Sequence, residues 1–259
     1  MKKITSLLFT LCLLASVNAQ LHCTLDSLHR AKVKINSSYL SQLKKTAIDN
    51  NQKAKNLIQG TIQLNNNKRA LAPNMVHYVI PVVVHVIHKT GENIGTGSNI
   101  SVNQIRNQID TLNNYFKHYG IGFCLATKMP DGTSFNGITR QAHALTDYRF
   151  NLDNDDVMKL DVFPKENYLN IWVVNSILFD NGSPSEYLGS ATGIGSEKNG
   201  VIVRHDYFGN YSNCSGCNLN SGAMGKVLVH EMGHLFGLFH THEKGCLNSN
   251  NGCDTTGDL

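Results

Sequence analysis

Residues 230–240 read HEMGHLFGLFH, and this stretch fixes the helix around which the fold must be built. His230 and His234 are four residues apart, so on an α-helix their imidazoles project from one face, a turn apart. Two neutral imidazoles in that arrangement can bind one Zn²⁺. Glu231 lies about 100° further round the helix, which places its carboxylate beside such a metal and not on it. A carboxylate there can take a proton from water, so Glu231 is the candidate general base.

Gly237 predicts the end of this helix and the return of a third ligand. A continuous helix would turn His240 away from the other histidines, because it lies six positions after His234. Glycine tolerates the left-handed conformation that ends helices, so the chain can turn at Gly237 and bring His240 back. Three imidazole nitrogens leave an open position for water, as in catalytic zinc sites. We therefore predict a catalytic Zn²⁺ held by His230, His234 and His240.

The sequence before this motif predicts an α+β fold. Residues 78–87 (YVIPVVVHVI) form a nearly continuous β-branched run, typical of a strand buried on both faces, and Pro81 places it near an edge or a bulge. Ser101 and Gln104 match a capping box, and apolar residues recur behind them at helical spacing over 102–118. Further strands are predicted at 121–127, 168–174 and 201–204, and a second helix at 222–237. This order predicts a mixed twisted sheet backed by one helix, with the second helix carrying the active site.

Length, composition and charge exclude several classes of protein. The chain has 259 residues, of which 41% are apolar, and a formal net charge of +4. That is enough apolar material for a core, and it argues against a disordered chain. The positive charge is too small to indicate nucleic acid or an anionic membrane surface as the main partner. After residue 19 no stretch is apolar enough to span a bilayer, so we expect no membrane insertion.

Two segments are expected to precede the catalytic region. A basic start, an apolar run and small residues before Gln20 are typical of a secretory signal peptide over 1–19, so the mature protein is expected to be extracellular. A short membrane anchor is disfavoured, because the run has about half of the roughly 20 residues that a spanning helix needs. Residues 20–75 are polar and end in a linker, which favours a pro-segment over an ordinary N-terminal extension. Residues 76–259 then form the catalytic domain.

Export makes disulfides the default for the cysteines that follow the signal peptide. These are Cys23, Cys124, Cys214, Cys217, Cys246 and Cys253, and the sequence does not decide their pairing. Cys214 and Cys217 have the CxxC spacing of zinc and redox sites, but no second close pair accompanies them, which disfavours a structural zinc. Cys23 is a candidate latency ligand because thiolates bind zinc well, although a disulfide or a free thiol is favoured.

The motif HExxHxxGxxH is the signature of the metzincin clan of metallopeptidases, and further stretches resemble the pappalysin-like (cytophagalysin) family. They are YVIPVVVHVIH at 78–88, QIRNQIDTLNNYFK at 104–117, YLNIWVVN at 168–175, NGVIVRHDYFG at 199–209 and HEMGHLFGLFHTH at 230–242. The resemblance covers roughly residues 77–259. It implies a secreted zinc-dependent endopeptidase that is made as a zymogen and has a wide cleft for extended peptide. It also implies that the metal ligands are His230, His234 and His240, with Glu231 as general base.

Two features depart from the pattern of that family. The family has a Met-containing turn beneath the zinc, whereas no Met follows Met232 in this sequence. It also continues after a Gly-Asp pair into a Cys-Asp-Thr-Pro-like segment, and here Gly257 and Asp258 are followed only by Leu259. We therefore expect the active-site floor to continue past Leu259, with the C-terminal part of the domain missing. Loops in similar proteins bind calcium, so Asp254 and Asp258 are candidate Ca²⁺ ligands, although a solvated loop is favoured.

Three functions compete for the motif. An endopeptidase would bind a protein or peptide substrate along residues 188–195, which could pair with its backbone as the edge of the cleft. A non-catalytic adhesin or binding module could retain the zinc as a structural element, but it would have no use for a base at Glu231. A gluzincin-like peptidase would take a downstream Glu as third ligand, whereas Gly237 and His240 stand at metzincin spacing. Structural or surface roles are favoured for the remaining candidate histidines, His85, His88, His205 and His242.

Overall fold

The computed structural model describes residues 78–192, 200–238 and 240. The strands there are β1 (Tyr78–His88), β2 (Ile121–Leu125), β3 (Ile138–Ala142), β4 (Asp147–Arg149), β5 (Leu169–Val174), β6 (Ser176–Leu178), β7 (Gly189–Ala191) and β8 (Gly200–Arg204). The α-helices of the same region are α1 (Val102–Phe116), α2 (Asn154–Val157) and α3 (Lys226–Leu235).

One twisted sheet of six strands forms the centre of the fold. Its order is β2-β1-β5-β8-β7, and β3 also pairs with β1. All of these pairs are parallel except β7 with β8, which is antiparallel. β4 and β6 form a separate parallel pair. The predicted α+β fold with a mixed sheet is confirmed.

β1 lies in the interior of this sheet, and its residues 82–87 are fully buried. The valines at 82, 84 and 86 pack with α1 and α3 in the main core, while Val83 and Ile87 belong to clusters on the opposite face. The predicted strand buried on both faces is therefore confirmed. Proline has no N–H to donate to a neighbouring strand. Pro81 is tolerated because β5 pairs only with residues 82–86 of β1, so the proline lies before the first residue that pairs with β5.

α1 confirms one half of the predicted capping box. Ser101 Oγ accepts a hydrogen bond from the Gln104 N–H at 3.1 Å. The Gln104 side chain does not bond back to the Ser101 backbone, as a full capping box would require. Its Nε2 donates to the carbonyls of His205 (2.8 Å) and Phe208 (3.1 Å). Its Oε1 accepts from the Asn218 N–H (3.1 Å). Gln104 therefore joins α1 to the loop that follows β8, and the reciprocal half of the capping box was wrong.

The helix that carries the histidine motif is shorter than predicted at both ends. The sequence predicts it over 222–237, and it forms as Lys226–Leu235. Gly225 precedes it with φ 68°, and a Cβ at Gly225 would lie 2.7 Å from Cγ2 of Thr111 on α1. Gln108 of α1 also donates from Nε2 to the Gly225 carbonyl at 3.0 Å. Close contact with α1 thus fixes where α3 begins.

The other predicted elements are present with small differences in length. α1 ends at Phe116 and continues as a 3₁₀ turn, Lys117–Tyr119, which Gly120 closes with φ 71°. β2, β5 and β8 differ from their predicted bounds by one or two residues. β3, β4 and β6 were not predicted, because strands of three to five residues carry too little periodic signal. None of the helices in the described part of the chain has the length and apolar character of a membrane span.

Candidate metal centre

Three imidazoles converge at the C-terminal end of α3. The Nε2 atoms of His230, His234 and His240 lie 2.9–3.0 Å from one another in all three pairs. His234 is buried, and the other two histidines are half-buried. Among the described residues, this is the one group of three or more His, Cys, Asp or Glu side chains close enough to hold a metal ion together.

Hydrogen bonding alone does not account for this cluster. The Nδ1 atom of His234 lies 2.8 Å from the Leu238 carbonyl, which can only accept, so His234 carries its proton there and presents a lone pair at Nε2. The remaining protons cannot satisfy all three Nε2 contacts, because each ring N–H is directed at one acceptor. A shared cation takes all three lone pairs at once. Nitrogens bound at 2.0–2.1 Å to one tetrahedral zinc lie about 3.3 Å apart, close to the observed separations, so the residues fit a zinc ion.

The end of α3 brings the third histidine to the other two. Gly237 has φ 90°, the left-handed conformation predicted for it. Its N–H donates to the His234 carbonyl, and the Leu238 N–H donates to the Gly233 carbonyl, both at 2.9 Å. This pair of bonds is a Schellman motif, which terminates the helix and reverses the chain. His240 follows two residues after Leu238 and reaches the other two histidines.

Glu231 packs directly against the edge strand β7. Its side chain is only 1% exposed. A Cβ at Gly189 of β7 would lie 2.8 Å from Cγ and 3.0 Å from Oε1 of Glu231. The same Cβ would lie 3.0 Å from Cγ1 of Val227, one turn earlier on α3. The carboxylate of Glu231 is therefore held between α3 and the backbone of β7, next in sequence to His230.

The opposite face of β7 is anchored by a buried tyrosine. Ser190 is 1% exposed and forms a side-chain hydrogen bond with Tyr148 of β4. The Tyr148 hydroxyl also lies 3.0 Å from the Phe150 carbonyl and from Oδ1 of Asn154. Burial raises the pKa of Tyr148, and the nearby carboxylates of Asp153 and Glu231 add to this effect, so the phenol stays protonated. β7 is thus fixed by Glu231 on one face and by Tyr148 on the other.

None of His85, His88 and His205 belongs to the three-histidine cluster. His85 is fully buried, with Nδ1 2.9 Å from Thr139 Oγ1 and Nε2 2.9 Å from Asn170 Oδ1. Burial lowers the pKa of His85 to about 4, so its ring is neutral at ordinary pH. The structural role favoured for this histidine agrees with these contacts.

The described cysteines agree only in part with the expectation of disulfides. Cys214 and Cys217 form a disulfide, whereas Cys124 is an exposed free thiol. The remaining candidate residues lie outside the described residues: Cys23, His242, Cys246, Cys253, Asp254 and Asp258. Zinc ligation by the Cys23 thiolate and calcium binding therefore stay predictions.

Sequence reasoning missed the contacts of two residues that shape the site. Tyr148 gave no signal, because nothing local relates it to β7. Gly189 lies in the stretch 188–195 that was predicted to form the edge of the cleft, but the sequence did not show which group would lie against it. Here that group is Glu231.

Comparison with known proteins relates part of the chain to a family of peptidases. A peptidase family model described as pregnancy-associated plasma protein-A matches residues 151–258, which include β7 and the whole histidine motif. An extracellular metalloprotease from Sordaria macrospora is 28% identical over 160 residues, which are 58% of this chain and 47% of the relative. Over these residues the chain is similar to the pappalysin-like metallopeptidases. The chain spans about half the length of the curated relative that it matches.

Solved structures of mirolysin share the fold of this chain. A promirolysin variant from Tannerella forsythia is 24% identical, with a TM-score of 0.52 over 78% of this chain and 70% of that one. Mature mirolysin from the same organism, in complex with a cleaved peptide, is 25% identical, with a TM-score of 0.53 over 71% and 72%. Mirolysin in complex with a small compound is 26% identical, with a TM-score of 0.51 over 66% of each chain. The fold of the chain is therefore metzincin-like.

Proposed function

We propose that the chain is a secreted, zinc-dependent endopeptidase that hydrolyses bonds within extended peptides. One observation carries the proposal: three Nε2 atoms lie 2.9–3.0 Å apart, and the residue after the first of these histidines is Glu231, which is almost completely buried. His230, His234 and His240 would hold the metal, and their number leaves one position open for water or substrate. When bound, zinc lowers the pKa of water and polarises the carbonyl of the scissile bond.

Glu231 acts as general base and then as general acid. Its carboxylate takes a proton from the attacking water and delivers that proton to the nitrogen of the leaving amine. The burial of Glu231 between α3 and β7 restricts its motion, so the carboxylate is held in place before substrate arrives. A zinc with only a structural task would have no use for such a base.

β7 supplies the edge along which the substrate lies. Among the described residues β7 is the last strand of the sheet and pairs with β8. Gly189 of β7 touches Glu231, which brings this edge to the general base. An extended peptide that adds to β7 by main-chain hydrogen bonds would pass its backbone across the histidine cluster. The mirolysin complex with a cleaved peptide supports a peptide substrate for this fold.

Secretion rests on the signal-like residues 1–19 and on the extracellular relative from Sordaria macrospora. The pro-segment proposed for residues 20–75 would keep the enzyme inactive until export is complete. Both segments lie outside the described residues.

A digest of peptides with blocked termini tests the activity. Acetylated and amidated peptides are incubated with the protein, and the products are identified by mass spectrometry. We expect internal cleavage that a chelator abolishes and added zinc restores. An exopeptidase would leave blocked peptides intact but trim free ones. A binding module of the adhesin type would bind zinc and cleave neither, and that result would overturn the proposal.

A further inference from the structure

We propose that Gly189 is a positioning residue for the Glu231 carboxylate, because the absence of a side chain on this residue of β7 leaves the space that the carboxylate occupies. The inference rests on the proposed function, since it treats Glu231 as the general base. The packing of the two residues does not depend on that role, so the steric claim can be tested separately.

The space beside Gly189 is too small for even a methyl group. A Cβ there would lie 2.8 Å from Cγ of Glu231, 3.0 Å from its Oε1 and 3.0 Å from Cγ1 of Val227. Carbon and oxygen atoms in ordinary van der Waals contact lie about 3.5–4.0 Å apart. The backbone of Gly189 gives no other reason for a glycine, because its φ is not positive. The close approach of Glu231 is therefore the physical reason for a glycine at this position.

A methyl group at this position would displace Glu231 and not the strand. β7 is paired with β8 from Gly189 to Ala191, and Ser190 is bonded to the buried Tyr148 on the far face. Val227 is β-branched and stiff about χ1, so it cannot easily turn away. The Glu231 side chain has more rotatable bonds, and it is the group that would swing aside.

The carboxylate must lie within hydrogen-bond reach of the water whose proton it takes. A displacement of about 1 Å of a catalytic group can cost on the order of 100-fold in rate. Gly189→Ala should therefore lower kcat by about 10- to 100-fold while KM stays within about twofold. The zinc content should stay at one per chain, because the substitution leaves all three imidazoles present.

Gly200 of β8 offers a matched control. A Cβ there would meet Cζ3 of Trp172 and lie 2.6 Å from the Asn170 carbonyl oxygen, and Glu231 is not among its three nearest neighbours. Gly200→Ala introduces the same kind of overpacking in the adjoining strand. We expect both variants to lose thermal stability, but only Gly189→Ala to lose kcat in the folded protein.

If Gly189→Ala does not fold, the same substitution can be tested in a protein that also carries Val227→Ala. Val227→Ala removes Cγ1, which leaves Glu231 as the crowded neighbour of the new methyl group. The variant with both Gly189→Ala and Val227→Ala should then show the same loss of kcat relative to Val227→Ala alone. Equal kcat in these two proteins would overturn the proposal.

Crystal structures of the zinc-loaded variants separate this inference from the proposed function. We expect the Glu231 carboxylate in Gly189→Ala to be displaced by about 1 Å or more, with His230, His234 and His240 unmoved. If the wild-type protein cleaves no peptide, the proposed function fails, and the structures still decide the steric claim. A carboxylate that keeps its original place beside the new methyl group, or a Gly189→Ala protein with wild-type kcat, would contradict the inference.

Discussion

Glu231 performs the proton transfer in the proposed reaction, and its amide analogue separates that step from metal binding. Glu231→Gln keeps the size of the side chain but cannot accept the proton. We expect kcat to fall by about 10²- to 10⁴-fold, the usual cost of removing a general base. Zinc should stay bound, because all three imidazoles remain. Steady-state kinetics and metal analysis of the same preparation measure both quantities.

Glu166→Gln is the matched control for this substitution, since Glu166 is exposed and lies outside the three-histidine cluster. Its kcat and zinc content should equal those of the wild type. A zinc-loaded Glu231→Gln protein with near-normal turnover would show that another group takes the proton.

His85 predicts a pH dependence of folding stability that is separate from the active site. Its pKa is lowered to about 4 by burial, from the usual value of 6.5. Between these pH values the unfolded chain binds a proton at His85 that the folded protein does not bind. Stability should therefore fall as the pH decreases from 6.5 towards 4, and a shift of this size corresponds to about 3 kcal/mol.

Urea unfolding across this pH range, with a chelator present throughout, measures the effect. His85→Gln should remove about 3 kcal/mol of the stability lost between pH 6.5 and 4, because glutamine does not titrate. The exposed His118→Gln serves as control and should keep the wild-type slope. Identical slopes in wild type and His85→Gln would mean that His85 is not held neutral by burial.

The three histidines and Glu231 could be predicted as a group because the helical period and a left-handed glycine determine which side chains meet. Gly189 and Tyr148 come from strands far from the motif in sequence, and no local period relates them to α3. Their contacts with Glu231 and Ser190 are therefore visible only in the folded protein.

The turn that ends α3 determines the position of His240. Gly237 adopts φ 90° in the Schellman motif, and the same turn places the Leu238 carbonyl on Nδ1 of His234. An L-residue with a Cβ is strained in that conformation. Gly237→Ala should therefore loosen the turn and weaken zinc binding by about 10- to 100-fold, as is common when support for metal ligands is lost.

Competition with a zinc-binding dye measures this affinity. Gly132→Ala is the matched control. Gly132 has φ 87°, and a Cβ added there would meet no atom within 4 Å, so the substitution introduces the same backbone strain in another loop. Its zinc affinity should be that of the wild type. If the two alanine variants bind zinc equally well, the turn at Gly237 does not position His240.

The start of α3 shows why element boundaries are harder to predict than element types. The apolar pattern continues on the N-terminal side of Lys226, but the close contact of Gly225 with Thr111 decides where the helix begins. Capping at Ser101 was predicted correctly because it is local. The other partners of Gln104 are about a hundred residues away and had no signal in the sequence.

At the scale of the whole molecule, α1 and α3 pack on the same face of the sheet, and the antiparallel β7 completes that face beside the site. The fold class could be predicted because long buried strands and amphipathic helices have distinct periods. The order of the strands could not, since it depends on contacts between distant segments.

The proposed pro-segment predicts that cleavage raises activity. Lys68 and Arg69 lie in a polar linker before the described region. Trypsin at low concentration should cut there, and turnover of a blocked peptide should rise once residues 20–69 are removed. The variant with Lys68→Gln and Arg69→Gln should resist this cut and stay at the basal rate. Equal activity of intact and trimmed protein would contradict the zymogen assignment.

A zinc titration of the metal-free protein tests the central claim most directly. Hydrolysis of a blocked peptide and bound zinc are measured on the same samples. We predict no hydrolysis without metal, a rise in proportion to zinc up to one ion per chain, and loss of both binding and activity in His240→Ala. Hydrolysis that persists in the metal-free protein, or a His240→Ala protein that binds zinc and cleaves as well as the wild type, would contradict the account.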